Sequence, residues 1–461
     1  MCSRNDNEDG SESYMEAKSK PLWSSTCQKC SGHNPVIQIL QIKHAYCKNC
    51  FVTHVNHKFR STLGKSKMMR PSDVVLAAFS GSLKSHAMLH LLHAGLSEKS
   101  HKRFLFKVQF IYVDEGAVLG LSLAERIANL RAIATLAEQY GFSGHFTSLA
   151  CLFDSSGPRC FPLNKNSSLT AENSLENELQ LLFQNIVSLT AKEDMLKQLR
   201  KQLLLLAAKE LCCGKVFMAH TSTDLAIQIL TDVSLGRGSL MHHDVTFCDF
   251  RDKDIKILRP LLELSSKEVA FYSVYHKLDN VFIPSLCTKM ASDSSIHNLS
   301  KQFVMDLMEN FPSTVSTVFR TGEKLGSTSS PDNSEEDDNS CIICQARLEV
   351  NLSPCTSAQA TEFSRLISSL GPLGFDSKTL SSISGSNGAE SCCSGSASNC
   401  CCNSNQDSPS LSDIMECCCY GCRLILHDLK SVSSLSERIL EQVRRRKSLN
   451  SMRDSIKDFL L

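Results

Sequence analysis

The chain has 461 residues, with 49 Lys and Arg against 48 Asp and Glu and a formal net charge of +1. It is long enough for two or three domains and carries no global field that would draw it to nucleic acid or to a membrane surface. The leucine-rich run Leu203 to Ala208 falls far short of the roughly 18 apolar residues of a membrane span, and the N-terminus is polar and acidic, so neither a span nor a signal peptide is expected.

The 23 cysteines are therefore read in a reducing compartment, cytosol or nucleus, where CxxC pairs point to metal before disulfide. Residues 1–22 have the composition of a disordered segment, and order is expected from Trp23. Cys27-Gln-Lys-Cys30 is followed after 16 residues by Cys47-Lys-Asn-Cys50, and Val36, Ile37, Ile39 and Ile42 between them suggest strand. Four thiolates at that spacing close a tetrahedral zinc site, a zinc ribbon, and in so short a segment the metal substitutes for a missing core. His33 and His44 are the alternative ligands. The stretch that completes 23–70 carries Lys58, Phe59, Arg60, Lys65, Lys67 and Arg70 with almost no acids. It reads either as an RNA-phosphate surface with Phe59 stacking a base, or as a plain solvated face. Gly64-Lys65-Ser66 imitates the end of a Walker A loop, but no strand precedes it and the earlier glycine is missing, so that reading is discarded.

Asp73 to Phe79 is nearly all apolar, as a parallel strand covered on both faces should be. The loop Ser80-Gly81-Ser82-Leu83-Lys84-Ser85 follows, then a helix with Met88, Leu89, Leu91 and Leu92 on one side and Gly95 as its expected terminator. A loop at a helix N-terminus suits an anion such as phosphate; the alternative is a strand-to-helix turn with no ligand. Beyond it strand and helix alternate. Strands are expected at Phe104–Val113, His145–Phe153, Lys215–Ala219 and Ile255–Leu258, and helices at Ser122–Tyr140, Leu196–Leu211 and Asp224–Val233. A polar insertion runs to about Leu175, Gly236-Arg237-Gly238 reads as a mobile turn, and Ser265-x-x-Glu268 as a capping box opening a helix through Lys277. This alternation over 71–320 predicts an α/β fold with a doubly wound parallel sheet.

Residues 321–340 form an acidic, Ser-rich linker. Cys341-Ile-Ile-Cys344 and Cys419-Tyr-Gly-Cys422, 74 residues apart, predict a second zinc site, a knuckle across 341–434 split by a disordered low-complexity insert. Cys355 is an alternative ligand, and Cys392, Cys393, Cys400, Cys401, Cys402, Cys417 and Cys418 read as surplus thiols in flexible sequence. Residues 435–461 form a helix bearing Arg444-Arg445-Arg446-Lys447, read as a solvated basic face.

The loop Ser80–Ser85 resembles the PP-loop Ser-Gly-Gly-x-Asp-Ser of the ATP pyrophosphatases, an adenine nucleotide alpha hydrolase-like fold, with Ser82 where that family has its second Gly and Lys84 where it has Asp. The resemblance extends in order through Asp114-Glu115-Gly116, Ala219-His220-Thr221-Ser222-Thr223-Asp224, the Gly236-Arg237-Gly238 turn, and Arg259-Pro260-Leu261 with Lys267-Glu268-Val269 and Tyr272. These are the landmarks of the tRNA-thiolating branch, whose active members carry Gly-His-Asn-x-Asp-Asp-x-x-Glu-Thr at the third. Here His220 and Asp224 match, while Thr221, Thr223 and Ile227 replace the Asn, the first Asp and the Glu, so most of the Mg²⁺ carboxylates are gone. Active members also carry a central cysteine cluster; here Cys151, Cys160, Cys212 and Cys213 read as core cysteines.

From Trp23 onward the chain resembles the cytoplasmic tRNA 2-thiolation protein 2 family. The resemblance implies a cytoplasmic subunit that forms a heterodimer with an intact PP-loop paralogue, meets tRNA, and takes part in 2-thiolation of the wobble uridine in Lys, Glu and Gln tRNAs, with sulfur from a ubiquitin-like carrier. It implies zinc at one or two sites and no catalytic residue on this chain, and it speaks against ATP here. Lys84 is expected to pack against an RNA phosphate or a partner's acid. Two other readings stay open: an autonomous adenylating ATP pyrophosphatase in which Lys84 contacts phosphate, and a zinc-bearing interaction scaffold.

Overall fold

The structure is a computed structural model, and it describes residues 26–32, 35–39, 44–98, 103–154, 156–169, 173–238, 241–288, 290–325, 340–348, 365 and 409–457. The expectations for residues 1–22, Trp23, His33, Ile42, Cys355, Cys392–Cys402 and most of the low-complexity insert lie outside these.

A short hairpin of β1 (Ile37–Ile39) and β2 (His44–Tyr46) leads into α1 (Lys48–Ser66). Phe51, Val55, Phe59 and Leu63 recur every four residues, and all four are buried together with Thr62. The basic stretch is thus largely one side of an amphipathic helix.

The main sheet is entered by β3 (Val74–Ala78), followed by α2 (Leu83–Leu96), β4 (Lys107–Asp114), α3 (Gly116–Leu119), α4 (Leu123–Glu138), β5 (Ser143–Ser148) and β6 (Phe161–Pro162). Then come α5 (Asn173–Asn185), α6 (Leu189–Glu210), β7 (Lys215–Phe217), α7 (Ser222–Ser234), α8 (Met241–Val245), β8 (Cys248–Asp249), β9 (Lys256–Leu258) and α9 (Ser266–His276). The strand order is β6-β5-β4-β3-β7-β9-β8. The five inner strands pair in parallel, with the short antiparallel β6 and β8 at the edges. This is the expected α/β architecture, and β3 at its centre points its loop at the edge where such sheets bind ligands.

Several boundaries differ from expectation. The strand expected over His145–Phe153 stops at Ser148, and Leu149–Phe153 is a buried 3-10 turn whose unbroken apolarity mimics a strand. Gly95 does not end α2, which runs to Leu96; it makes room for Phe104, whose ring would lie 2.2 Å from a Cβ there. The helix α11 (Pro312–Leu325), reached through α10 (Ile296–Asn310), extends into the segment expected to be linker. The Gly236-Arg237-Gly238 turn is not free, because Arg237 is 3% exposed and ion-paired to Asp194.

The C-terminal part comprises α12 (Leu411–Glu416), α13 (Tyr420–His427) and α14 (Glu437–Lys457). It shares one core with the α/β unit: Leu182 and Phe183 of α5 and Met195, Leu199 and Leu203 of α6 cluster with Cys341, Ile343, Cys422, Ile425 and Val443. Gln202 Nε2 donates to the Ile343 carbonyl at 2.6 Å, and Ile186 bridges to Leu429. Cys418, expected to be a surplus thiol in flexible sequence, is 0% exposed, and Cys417 is half-buried beside it.

Candidate functional site

At the end of β3 the loop Ser80–Ser85 turns into α2, with Gly81 at φ 75°. A Cβ on Gly81 would lie 3.2 Å from Val281 and 3.3 Å from Ile133, so only glycine fits without displacement. Ser82 caps α2: its hydroxyl accepts from the Ser85 N–H at 3.4 Å, and the Ser80 hydroxyl donates to Ser82 Oγ at 3.0 Å. The side chain that replaces a family glycine therefore engages a helix N–H that would otherwise face an anion. The Val281 N–H donates to the Gly81 carbonyl at 3.0 Å, drawing the segment after α9 across the loop.

Lys84 crosses to the start of α7, where its Nζ lies 2.6 Å from Asp224 Oδ1. Asp224 Oδ2 accepts from Thr221 N–H and Oγ1 at 3.0 and 2.7 Å, closing a capping box. Burial is the largest influence on the Asp224 carboxyl and works upward, but the Lys84 charge and hydrogen bond outweigh it and hold the carboxyl below its ordinary range. The expectation that Lys84 meets an RNA phosphate or a partner's acid is corrected: its counter-ion is in this chain. His220, beside the pair, is pushed down to about 4, first by burial and then by the Arg259 charge, so it adds no cation at neutral pH. The second landmark is neutralised as well. Asp114 accepts from Arg126 at 2.6 and 2.9 Å, and Glu115 from Arg200 at 2.8 Å. The carboxylates at the matching positions are thus each paired to a Lys or Arg of the same chain.

The basic stretch divides in two. Phe59 is 1% exposed and packs edge-on against Phe104, so it cannot stack a base, and that assignment is corrected. Lys58 Nζ lies 2.8 Å from Glu268 Oε1, tying α1 to α9, while Arg60 lies over the Phe104 ring and donates to the Ala94 carbonyl. Lys65, Lys67 and Arg70 are exposed around the C-terminal end of α1. On α14, Arg444 pairs with Glu437, Lys447 with Asp413 at 2.9 Å, and Arg446 donates to Ser340 Oγ at 3.3 Å.

Both cysteine quartets assemble. The sulfurs of Cys27, Cys30, Cys47 and Cys50 lie within 4.8 Å of one another, as do those of Cys341, Cys344, Cys419 and Cys422. The two are built alike. In each, the first CxxC sits in a turn with a left-handed residue just after it, Ser31 or Gln345, and the first cysteine's N–H donates to Gly32 O or Ala346 O. In each, the third cysteine is the N-cap of a helix and the fourth lies in its first turn, Cys47 and Cys50 on α1, Cys419 and Cys422 on α13. Helix N-termini favour the negative charge of thiolates. Zn–S bonds of about 2.3 Å place tetrahedral sulfurs about 3.8 Å apart; Cys30 and Cys47 are 3.8 Å apart, and Cys344 and Cys419 3.5 Å. The donor set and spacing fit a single divalent ion.

Fold and sites together define an α/β protein with a parallel central sheet, a Ser80–Ser85 loop engaged by its own side chains, and two four-cysteine clusters. Its relatives include the cytoplasmic tRNA 2-thiolation protein 2 of Xenopus tropicalis, 32% identical over 95% of this chain and 94% of that protein. The protein of the same name from Danio rerio is 30% identical over 100% and 99%, and that of Homo sapiens 31% over 93% and 91%. The family profile described as cytoplasmic tRNA 2-thiolation protein 2 matches residues 295–424. The chain belongs to the cytoplasmic tRNA 2-thiolation protein 2 family. Among solved structures, the U34-tRNA thiolase NcsA of Methanococcus maripaludis, determined with its [4Fe-4S] cluster, aligns at 17% identity and a TM-score of 0.49, covering 66% of this chain and 89% of that one. Among the described residues no helix is long and apolar enough to cross a membrane.

Proposed function

We propose that this chain acts in 2-thiolation of the wobble uridine of Lys, Glu and Gln tRNAs in the cytoplasm as the subunit that does not turn over ATP, in a heterodimer with an intact PP-loop paralogue. The role in cytosolic tRNA 2-thiolation comes with the family. The observation that carries the division of labour is the Lys84–Asp224 pair: where an active loop keeps a carboxylate and open N–H groups for Mg²⁺ and pyrophosphate, this one supplies a lysine, a capping serine and a paired aspartate. The paralogue adenylates the uridine C2 oxygen, and sulfur from a ubiquitin-like carrier then displaces AMP. This chain contributes fold, metal clusters and RNA surface. Zinc sits in both quartets, Cys27, Cys30, Cys47 and Cys50 at one and Cys341, Cys344, Cys419 and Cys422 at the other, and Lys65, Lys67 and Arg70 contact tRNA phosphate.

The test is to purify the chain alone and with the paralogue, and to measure pyrophosphate release from ATP together with 2-thiouridine formation in tRNA. Both activities are expected only with the paralogue. Pyrophosphate release by the chain alone at the rate of the pair would favour the autonomous enzyme and overturn the assignment.

A further inference from the structure

The Gly236-Arg237-Gly238 turn meets the Cys419-Tyr-Gly-Cys422 knuckle in a reciprocal fit. A Cβ on Gly236 would lie 2.5 Å from the Tyr420 ring, and a Cβ on Gly421 would lie 2.5 Å from Arg237 Cγ and Nε. Each segment thus has a glycine where the other's large side chain passes. Gly236 is also at φ 67°, and the Arg237 N–H is fixed by the Asp232 carbonyl at 2.7 Å. The guanidinium ends between a carboxylate and a cysteine sulfur: Nη2 lies 2.5 Å from Asp194 Oδ2 on α6 and donates to Cys422 Sγ at 3.7 Å.

The charge balance gives this contact a purpose. Four thiolates around a divalent ion leave two net negative charges, which cost heavily when buried without a counter-charge. At the N-terminal quartet Cys30 is exposed and water can screen the charge. At the C-terminal quartet Cys341, Cys344 and Cys422 are 1%, 2% and 0% exposed, so the counter-charge must come from protein. We propose that Arg237 is the outer cation of the C-terminal metal centre, donating to the Cys422 sulfur and fastening the knuckle to α6, so that metal retention there depends on the Gly-Arg-Gly turn. This rests on the reading of that quartet as a metal site. Arg237 is a positioning residue, and partners of this kind typically account for about 10–100-fold in metal affinity.

The experiment uses the full chain purified with zinc, its metal content, and the rate of zinc transfer to a chromogenic chelator. Wild type is expected to carry two ions, with Cys30→Ser removing the phase that belongs to the N-terminal site. Arg237→Gln should speed the remaining phase about 10–100-fold and leave the N-terminal phase unchanged, and Arg237→Lys should restore part of the loss. In cobalt-loaded protein, Arg237→Gln should also shift the thiolate-to-cobalt charge-transfer band, whereas Asp194→Asn, which keeps the cation at the sulfur, should shift it little. Unchanged release and an unchanged band in a folded Arg237→Gln variant would overturn the proposal. Should that variant fail to fold, Gly421→Ala decides: displacing the guanidinium while keeping its charge should accelerate the same phase, and wild-type release rejects the role. A wild-type chain holding one ion, with Cys422→Ser changing nothing, would instead remove the metal reading itself.

Discussion

Replacing Lys84 by Asp turns the ion pair at the closed loop into two facing carboxylates. The lysine and aspartate side chains are 37% and 24% exposed, so the pair lies between a surface bridge, worth about 0–1 kcal/mol, and a buried one, whose breaking costs about 3–5 kcal/mol. Losing the attraction alone, as in Lys84→Met, should cost about 1–2 kcal/mol. An aspartate at position 84 reaches less far than the lysine, so the two carboxylates stand about 6–8 Å apart; at an effective dielectric of about 20 they repel by about 2–3 kcal/mol, of which solvent screening at this partly exposed site leaves about 1–2 kcal/mol. A total near 3 kcal/mol is expected at pH 7, which for a unit of this size lowers Tm by about 6–12 °C. The sign with pH follows. In wild type the Asp224 carboxyl lies below its ordinary range, so the pair stabilises above the unfolded pKa and is lost as pH falls through the folded one. In Lys84→Asp the like charge raises a carboxyl pKa, so the deficit shrinks as the pH is lowered and that carboxyl takes up a proton. Thermal melts of the zinc-loaded chain at pH 7 and pH 4.5 measure both effects. Lys84→Asp with Asp224→Lys should recover about half of the lost Tm. A Lys84→Asp melt within about 2 °C of wild type at pH 7, or a charge swap no better than the single variant, would refute the reasoning.

Ser82→Gly with Lys84→Asp, which rebuilds the active-family loop, should still give no pyrophosphate release in the isolated chain. Thr223 and Ile227 supply no carboxylate, and Arg126 and Arg200 keep Asp114 and Glu115 occupied; robust release would show a repairable enzyme. Serine at Cys27, Cys30, Cys47 or Cys50 should remove one metal ion per chain and make residues 26–66 protease-sensitive, while an unchanged metal content would exclude the ribbon. Neutralising Lys65, Lys67 and Arg70 to Gln should reduce the salt slope of tRNA binding by about 0.7–0.9 for each phosphate that is no longer neutralised, with an unchanged slope assigning these residues to plain solvation. His90 is pushed down to about 4, by burial first and then by His276, and so stays neutral in the fold while the unfolded chain takes up a proton below about pH 6.5. Stability should therefore fall as pH drops from about 6.5 towards 4, by up to about 1.4 kcal/mol per pH unit from this residue. Urea unfolding at pH 7 and 5.5 should show a shallower dependence in His90→Gln, and an equal one would place the acid sensitivity elsewhere.

What was legible in the chain depended on how far apart the cooperating residues lie. The cysteine quartets were readable because ligand spacing is written locally within each CxxC, and folding had only to bring two halves together. The parallel sheet was readable from its alternation of apolar strand and amphipathic helix. The burial of Phe59 was also present in sequence, in the 51-55-59-63 spacing of Phe51, Val55, Phe59 and Leu63, but the basic residues interleaved with that stripe imitate a nucleic-acid surface and mask the apolar face of α1. Lys84 is different in kind. Its partner Asp224 is 140 residues away, and nothing near either residue announces the other. Arg237 likewise sits between two glycines, which read as a free turn; the two clearances that fix it involve Tyr420 and Gly421, supplied by a distant segment.

A degenerate nucleotide loop that kept its open N–H groups and unpaired carboxylates would carry the cost of an empty ligand site without the ligand that offsets it. Here one loop N–H, the Gly81 carbonyl and the matching carboxylates have internal partners. The Ser82 hydroxyl meets a helix N–H, the Val281 N–H takes the Gly81 carbonyl, Lys84 neutralises Asp224, and Arg126 and Arg200 neutralise Asp114 and Glu115. These exchanges reduce the nucleotide dependence of order at the ends of β3, β4 and β7, because interactions made within the chain are present at any ATP concentration. With metal in the quartets, as proposed, ligand-dependent stability would be concentrated there, and the C-terminal quartet lies in the same core as α5 and α6. Under the proposed division of labour, with zinc in the quartets and ATP turned over on the paralogue, such an exchange would suit a chain that stays folded as a standing component of a complex.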